Sequence, residues 1–307
     1  MTNGSPVSLS RSGLLFVDKP EGLTSHDVVS RVRKLANTRK VGHAGTLDPM
    51  ATGLLTLGLN SSTRLLTFLV GLDKEYFATI RLGETTDTDD AQGASTGIAD
   101  PASVAAVTEA AVREAIVPLT GPISQVPSSV SAIRVDGRHA YELARAGETV
   151  VLKSRDVTVS TFEILDIRRS TSSLDVDVRV ECSSGTYIRA LARDLGAALG
   201  LGGHLIALRR TRVGPFTVAA ASTMEHLDPV GDLVPPERVA ATLFPLLQLD
   251  AVQVLGLSQG KRLPGFPTDG GPIAAISPEG RLAGLVNVIG GVAKPIVNFP
   301  TSEVLPQ

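Results

Sequence analysis

An imidazole and a carboxylate, His43 and Asp48, lie close together in the stretch GHAGTLDPMATGLL, Gly42 to Leu55. The residues around them are small: Gly42, Ala44, Gly45, Ala51 and Gly53. Glycines let a backbone take positive φ and come close to another surface. A carboxylate is ionised at neutral pH and serves as a nucleophile or a base. An acid and an imidazole on such a backbone read as the wall of a pocket. A second reading stands beside it. Asp48-Pro49 is also a helix start, with Asp48 as N-cap and Pro49 at the first helical position. The two are compatible, because a capped loop can hold a catalytic group.

Other residues carry chemistry further along. Arg189 and Arg193 are four apart on an expected helix over about 187–199, so they share a face. Arg209, Arg210 and Arg212 follow as a second basic cluster, suited to phosphate contacts. Lys19 reads as a phosphate contact or as a support for its loop. Tyr76 falls in Lys74–Leu82, which alternates like a strand with one buried face. Asp87, Asp89 and Asp90 resemble a metal-binding run but lack the glycine and final glutamate of a calcium loop. They read as a solvated loop. The chain has no P-loop, no dinucleotide fingerprint and no His/Cys metal cluster. Its one cysteine, Cys182, excludes an intramolecular disulfide and fits a reducing compartment.

Charge balance excludes little by itself. The 307 residues hold 29 Lys and Arg against 31 Asp and Glu, a formal charge of −2. The distribution is uneven. Arg189, Arg193, Arg209, Arg210 and Arg212 crowd 185–212, while Glu84, Asp87, Asp89, Asp90, Asp100, Glu109 and Glu114 crowd 84–114. A basic face can therefore coexist with a net charge near zero. No apolar run is long enough to span a bilayer, and a cytoplasmic protein is expected.

The elements that must position these groups follow from pattern. Gly13–Val17 reads as a buried strand, and Ser25 as the cap of a helix over 26–36. Leu54–Leu57 reads as a strand and Ser61–Leu69 as a short helix. The acidic 83–99 stretch reads as loop, and 102–117 has helical spacing. A short helix is expected over Ala140–Ala146, and two or three strands over about 149–182. Asp228–Pro236 is a candidate linker. Ile273–Ile276, Leu282–Val288 and Pro295–Phe299 read as a small β module.

Three separated segments resemble one family in the right order: Lys19-Pro20 with Gly22 and Thr24-Ser25; GHAGTLDPMATGLL; and SSGTYIRALARDLG, Ser183 to Gly196. They are similar to the bacterial tRNA pseudouridine synthases that act on uridine 55 of the T arm, the TruB type. The similarity runs over roughly residues 12–215, through Lys74-Glu75-Tyr76, Val126–Gly147 and His204–Arg210. It implies an α+β fold: a pseudouridine-synthase core of mixed, mainly antiparallel sheet with flanking helices, plus a small C-terminal β-rich PUA-like module. The implied organisation is a disordered tail over 1–10 and a catalytic domain over 11–227, with an RNA-clamping insertion at about 124–152. A linker and helix over 228–249 and the C-terminal domain over 250–307 follow.

The resemblance also implies roles. Asp48 matches the catalytic aspartate, Arg189 its ion-pair partner, and Tyr76 the tyrosine that stacks on the target base and is a candidate general base. His43, Tyr187 and Leu208 match substrate-pocket positions, and Lys19, Arg209 and Arg210 are taken as further substrate contacts. The implied partner is tRNA, through its T stem-loop, with no protein partner, no membrane and no cofactor or metal; a monomer is expected. Isomerising uridine breaks a C1′–N1 bond and forms a C1′–C5 bond, with no redox change. The base must leave the stack and meet an aromatic platform. Three routes are open to the carboxylate: attack on the sugar, attack on the base, or removal of a sugar proton. The reading in competition is a non-catalytic protein that binds and remodels tRNA; folding-chaperone action is compatible with either. A glycosidase would need a second carboxylate in the motif set.

Overall fold

A computed structural model describes residues 11–128, 134–135, 138–139 and 152–305. The tail over 1–10, the Ala140–Ala146 helix and most of the 124–152 insertion lie outside the described residues. The contacts define two compact units that interleave along the sequence. One holds the chain up to Asp48, then Leu54–Val70 and everything from Pro215; the other holds Pro49–Gly53 and Gly71–Gly214.

The first unit is built on the strand Gly13–Lys19, in which Leu14, Leu15 and Val17 are fully buried. Val17 and Asp18 pair in parallel with Ser222 and Thr223. Leu14 and Val234 exchange backbone hydrogen bonds of 2.9 and 2.8 Å, so the Asp228–Pro236 stretch is tied to this strand. The helix Ser25–Leu35 buries Val28, Val29 and Val32. Its cap is Thr24, one residue before the expected Ser25. Thr24 Oγ1 accepts from Asp27 N at 3.0 Å, and the Asp27 carboxylate accepts from Thr24 N at 2.9 Å. This reciprocal box satisfies two otherwise orphaned donors. The expected Ser61–Leu69 helix is a 3₁₀ segment, Asn60–Leu65, running into a short α-helix, Leu66–Val70.

The β module near the C-terminus forms as expected. Its sheet runs in the order Leu246–Gln248, Gly270–Ile276, Leu282–Ile289, Val292–Asn298, Leu263–Pro264. Ala274, Ala275, Leu285, Val286 and Ala293 form its core, with Val254 and Leu257 of the helix Ala251–Ser258 also buried.

The second unit is an antiparallel sheet in the order Gly203–Val213, Lys74–Leu82, Leu174–Cys182, Arg155–Arg169, Gly121–Gln125. One face is apolar: Ala78, Ile80, Leu82, Val176, Val178 and Val180 are buried. The other carries an ion-pair lattice. Arg81 grips Asp175 with two bonds of 2.8 and 2.7 Å, and Arg168 pairs with Asp177. Arg179 reaches Glu75 at 2.9 Å, Glu163 at 3.2 Å and also Glu181. Arg212 sits in this lattice, bonded to Glu181 at 3.0 Å and to the carbonyl of Gly214 at 3.2 Å.

Two further expectations change. Residues 102–117 form two helices, Pro101–Ala106 and Glu109–Ile116, because Thr108 caps the second by accepting from Ala111 N at 3.1 Å. The 83–99 stretch contains a hairpin, Glu84–Thr86 with Ser95–Ile98. Its polar, threonine-rich strands lack the apolar alternation that marks a strand in sequence, and Thr85 and Thr96 bond across it at 2.9 Å.

The lattice makes stability depend on acidity. Hydrogen bonds from Thr211 and Arg179 hold the Glu75 carboxyl below its ordinary value, and those from Arg168 and Thr79 do the same for Asp177. Lowered carboxylates contribute stability above their unfolded values and lose it as pH falls through the folded ones. Urea midpoints of the wild type should therefore drop between about pH 5 and pH 2. The pair of substitutions Glu75→Gln and Asp177→Asn should flatten that drop; an unchanged slope would show that the lattice is not its source.

Candidate active site

Asp48 lies in the loop between two paired strands. Val41–Ala44 runs antiparallel to Thr52–Leu59, with His43 opposite Leu57 and Ala44 opposite Thr56. The chain makes only a turn at Pro49-Met50 before the strand begins at Thr52, so no helix follows Asp48. The N-cap reading is corrected. The run TGLLTLGL is apolar almost throughout and buried from Gly53 to Leu59, and a buried strand outweighs the local Asp-Pro signal.

The loop is held from behind instead. Ser25 Oγ donates to Leu47 O at 3.1 Å and accepts from Leu47 N at 2.9 Å, both buried. The residue before Asp48 is thereby clamped on both backbone groups. Lys19 supports the same region one step back. Its ammonium donates to Leu23 O at 2.7 Å and Pro20 O at 3.0 Å, holding the turn that leads to Ser25. Lys19 is 0% exposed, so it is a loop support and not a surface phosphate contact. His43 and Asp48 are each half-buried.

In the second unit, register brings several expected residues together. Tyr76 stands opposite Arg210 on one side and Val180 on the other, and Leu208 stands opposite Ala78. With period-two alternation, Tyr76, Leu208 and Arg210 share one face. Tyr76 and Leu208 are each 8% exposed. Arg210 is only 1% exposed, which corrects its reading as a surface phosphate contact. Arg209 is half-buried and donates to Thr52 Oγ1 at 3.3 Å. Burial, and then the charge of Arg210, bring the ammonium of nearby Lys74 down to about 8.

Close packing fixes where the strand after Asp48 meets this sheet. Thr52 and Gly53 pair in parallel with Arg209 and Arg210. Gly53 has φ +101°, and a Cβ there would fall 2.2 Å from Arg210 O and 2.8 Å from Arg210 N. Only glycine fits. Gly53→Ala should lower the melting temperature by several degrees, the effect of strain on the order of 1–3 kcal/mol. A melting temperature equal to wild type would refute the close approach.

Arg189 and Tyr187 are set by the helix Ile188–Ala198, which Tyr187 caps. Gln125, 2% exposed, clamps that cap: its Nε2 donates to Tyr187 O at 3.0 Å and its Oε1 accepts from Tyr187 N at 2.8 Å. Two residues on, Arg189 is 5% exposed, with Nη1 2.8 Å from Thr88 O and 3.4 Å from Asp90 Oδ2. Asp90 is itself 4% exposed, and its Oδ1 accepts from Thr88 Oγ1 at 2.7 Å and Gln92 N at 3.0 Å. The solvated-loop reading of the acidic run is therefore corrected. Asp90 pairs with Arg189 and Asp89 with Arg193, because two arginines on one helical face meet two consecutive aspartates. The ordering of Asp90 and Gln125 was missed in the sequence. The excess of arginine in one segment and acid in another was the available signal for the first, and a lone glutamine gives none. Among the described residues no cluster of His, Cys, Asp and Glu is placed to hold a metal ion.

A TruB family pseudouridylate synthase N-terminal domain matches residues 33–188, and a tRNA pseudouridylate synthase B C-terminal domain matches residues 189–234. The chain belongs to the TruB family of pseudouridylate synthases. A tRNA Pseudouridine synthase II C-terminal domain matches residues 244–300. Curated TruB-type relatives named tRNA pseudouridine synthase B extend over nearly the whole chain. The one from Leifsonia xyli subsp. xyli is 58% identical over 95% of this chain and 98% of its own. The one from Arthrobacter sp. is 53% identical over 96% and 99%. Among solved structures, an H/ACA RNP bound to a substrate RNA containing 2′-deoxyuridine matches with TM-score 0.69 and 25% identity, covering 95% of this chain and 87% of that one. The fold is thus the α+β pseudouridine-synthase fold with a β-rich C-terminal domain, and the TruB-family chain is an isomerase.

Proposed function

We propose that this enzyme converts uridine 55 in the T arm of tRNA to pseudouridine, working as a monomer without a protein partner. The observation that carries the substrate is the name shared by relatives up to 58% identical over almost the full chain, tRNA pseudouridine synthase B. The reaction assigns the roles. The target uridine flips out of the T loop and stacks on Tyr76, with His43, Tyr187 and Leu208 around it and Arg209 on the backbone phosphates. Asp48 acts as the nucleophile: the C1′–N1 bond breaks, the uracil turns, a C1′–C5 bond forms, the carboxylate is released, C5 gives up its proton to water and N1 takes one up. Arg189 keeps Asp48 ionised in a dry pocket, where an unpaired charge would be costly. Asp90 orients Arg189 from behind, with a 3.4 Å contact between buried groups as support. The C-terminal module adds RNA-binding surface. Because flipping a base out of the folded elbow opens tertiary contacts, the enzyme also assists tRNA folding.

The test uses tRNA transcript carrying tritium at uracil C5. Formation of the C1′–C5 bond expels that label into water. Release of one equivalent from wild-type transcript, and none from a transcript with cytidine at position 55, is the expected result. Equal release from both transcripts would refute the site, and no release from folded protein would refute the isomerase reading.

A further inference from the structure

Arg193 lies one turn beyond Arg189 on the Ile188–Ala198 helix and faces the same way. It joins three separate segments with one guanidinium. Nη1 lies 3.4 Å from Asp89 Oδ2 in the acidic turn. Nη2 donates to Val126 O at 2.8 Å, just past the strand Gly121–Gln125. Nε and Nη2 reach Asp194 Oδ1 at 2.9 and 2.8 Å on the helix itself. The planar fork of arginine suits acceptors in several directions, which a lysine point charge does not.

The acidic turn needs such a restraint. Asp89 has φ +59°, in the left-handed region, which aspartate enters more readily than most residues with a Cβ. Its backbone is pinned by Asp89 N to Thr86 O at 3.3 Å and Leu205 N to Asp89 O at 3.0 Å. Its side chain is 15% exposed, and burial pushes its carboxyl above the ordinary value against the interaction with Ser128 and the pull of Arg193 and Arg189. Without the Arg193 guanidinium, only Ser128 and the charge of Arg189 would favour the ionised carboxylate in this buried place, and Asp89 would turn outward to water. Asp90, the next residue, would move with it, and Asp90 is the carboxylate against Arg189.

We propose that Arg193 is a positioning residue: through Asp89 it locks the acidic turn so that Asp90 meets Arg189, and through Val126 it ties that lock to the end of the Gly121–Gln125 strand. The proposal rests on Arg189 serving Asp48 as described above. Arg193 itself touches no reacting atom in this scheme.

The experiment is a double-mutant cycle read by tritium release at saturating tRNA, with tRNA Kd and thermal melting measured on every variant. Arg193→Ala should lower kcat about tenfold, the scale of a small misplacement at the chemistry. Its tRNA Kd should stay within about twofold of wild type. Arg193→Lys, which keeps the charge and loses the fork, should fall between. In an Asp90→Asn background, Arg193→Ala should cost less than about twofold, because the path through Asp90 is already cut. Should Arg193→Ala melt below the assay temperature, Asp89→Asn takes its place in the same cycle. A wild-type kcat in Arg193→Ala, a loss confined to KM, or a tenfold loss that persists in the Asp90→Asn background would each overturn the proposal. Those outcomes leave the isomerase reading standing. Absence of release by the wild type overturns that reading and this inference with it.

Discussion

Asp48→Asn is expected to bind T-arm RNA as wild type does and to release no tritium. The two side chains have the same size, so the loop has no steric reason to change. The clamp that sets it acts on Leu47 through Ser25, with bonds of 3.1 and 2.9 Å that do not involve Asp48. Binding should therefore stay within about threefold, whereas an amide has no anionic oxygen to attack carbon, and loss of a nucleophile costs on the order of 10⁴-fold or more in kcat. The sequence protects this test from a common artefact. An asparagine reverts to aspartate through attack by the following backbone nitrogen on its amide, and the following residue is Pro49, which has no N–H. Residual turnover would then belong to the variant itself. A turnover within tenfold of wild type would remove Asp48 from the nucleophile role, and a lost affinity with normal single-turnover rate would make it a binding residue.

The family was readable in sequence, through the segments around Lys19, Asp48 and Arg189 that carry the resemblance; the contacts that support those segments were not. The alternation of Lys74–Leu82 likewise exposed a strand, since one apolar face must be buried. Failure came where a local signal met a larger packing demand. Asp48-Pro49 has the chemistry of a helix cap, yet the buried TGLLTLGL run makes a strand. Arg210 was read as a phosphate contact because a cluster of charge reads as surface, and it is buried; of the two readings of Lys19, the loop support holds, its ammonium set against carbonyl acceptors. Asp89 and Asp90 were read as solvated because their arginine partners lie about a hundred residues away, a distance no periodicity spans. Interleaving of the two units has the same origin: the chain leaves the first at Asp48, returns at Leu54 and returns again at Pro215.

Arg189→Ala is expected to abolish turnover and also to destabilise the protein, and the two losses can be separated. Asp90 is 4% exposed, and Arg189 is a buried cation against it. Removing the guanidinium leaves a buried carboxylate with less compensation, at a cost of about 3–5 kcal/mol. A simple loss of activity would then be ambiguous between a missing catalytic group and a loosened fold. The double substitution Arg189→Met with Asp90→Asn resolves it. Methionine restores apolar bulk along the path of the arginine stem. Asparagine removes the stranded charge while its oxygen still accepts from Thr88 and Gln92, the bonds Asp90 makes at 2.7 and 3.0 Å. Replacing both partners of a buried pair is often close to neutral, so more than half of the lost stability should return in urea unfolding. Activity should not return, because in the proposed scheme Arg189 is the group that holds Asp48 ionised. Recovery of turnover together with stability would assign Arg189 to the scaffold alone. Stability that stays low in the double variant would show that the 3.4 Å contact with Asp90 is not what makes Arg189 structural.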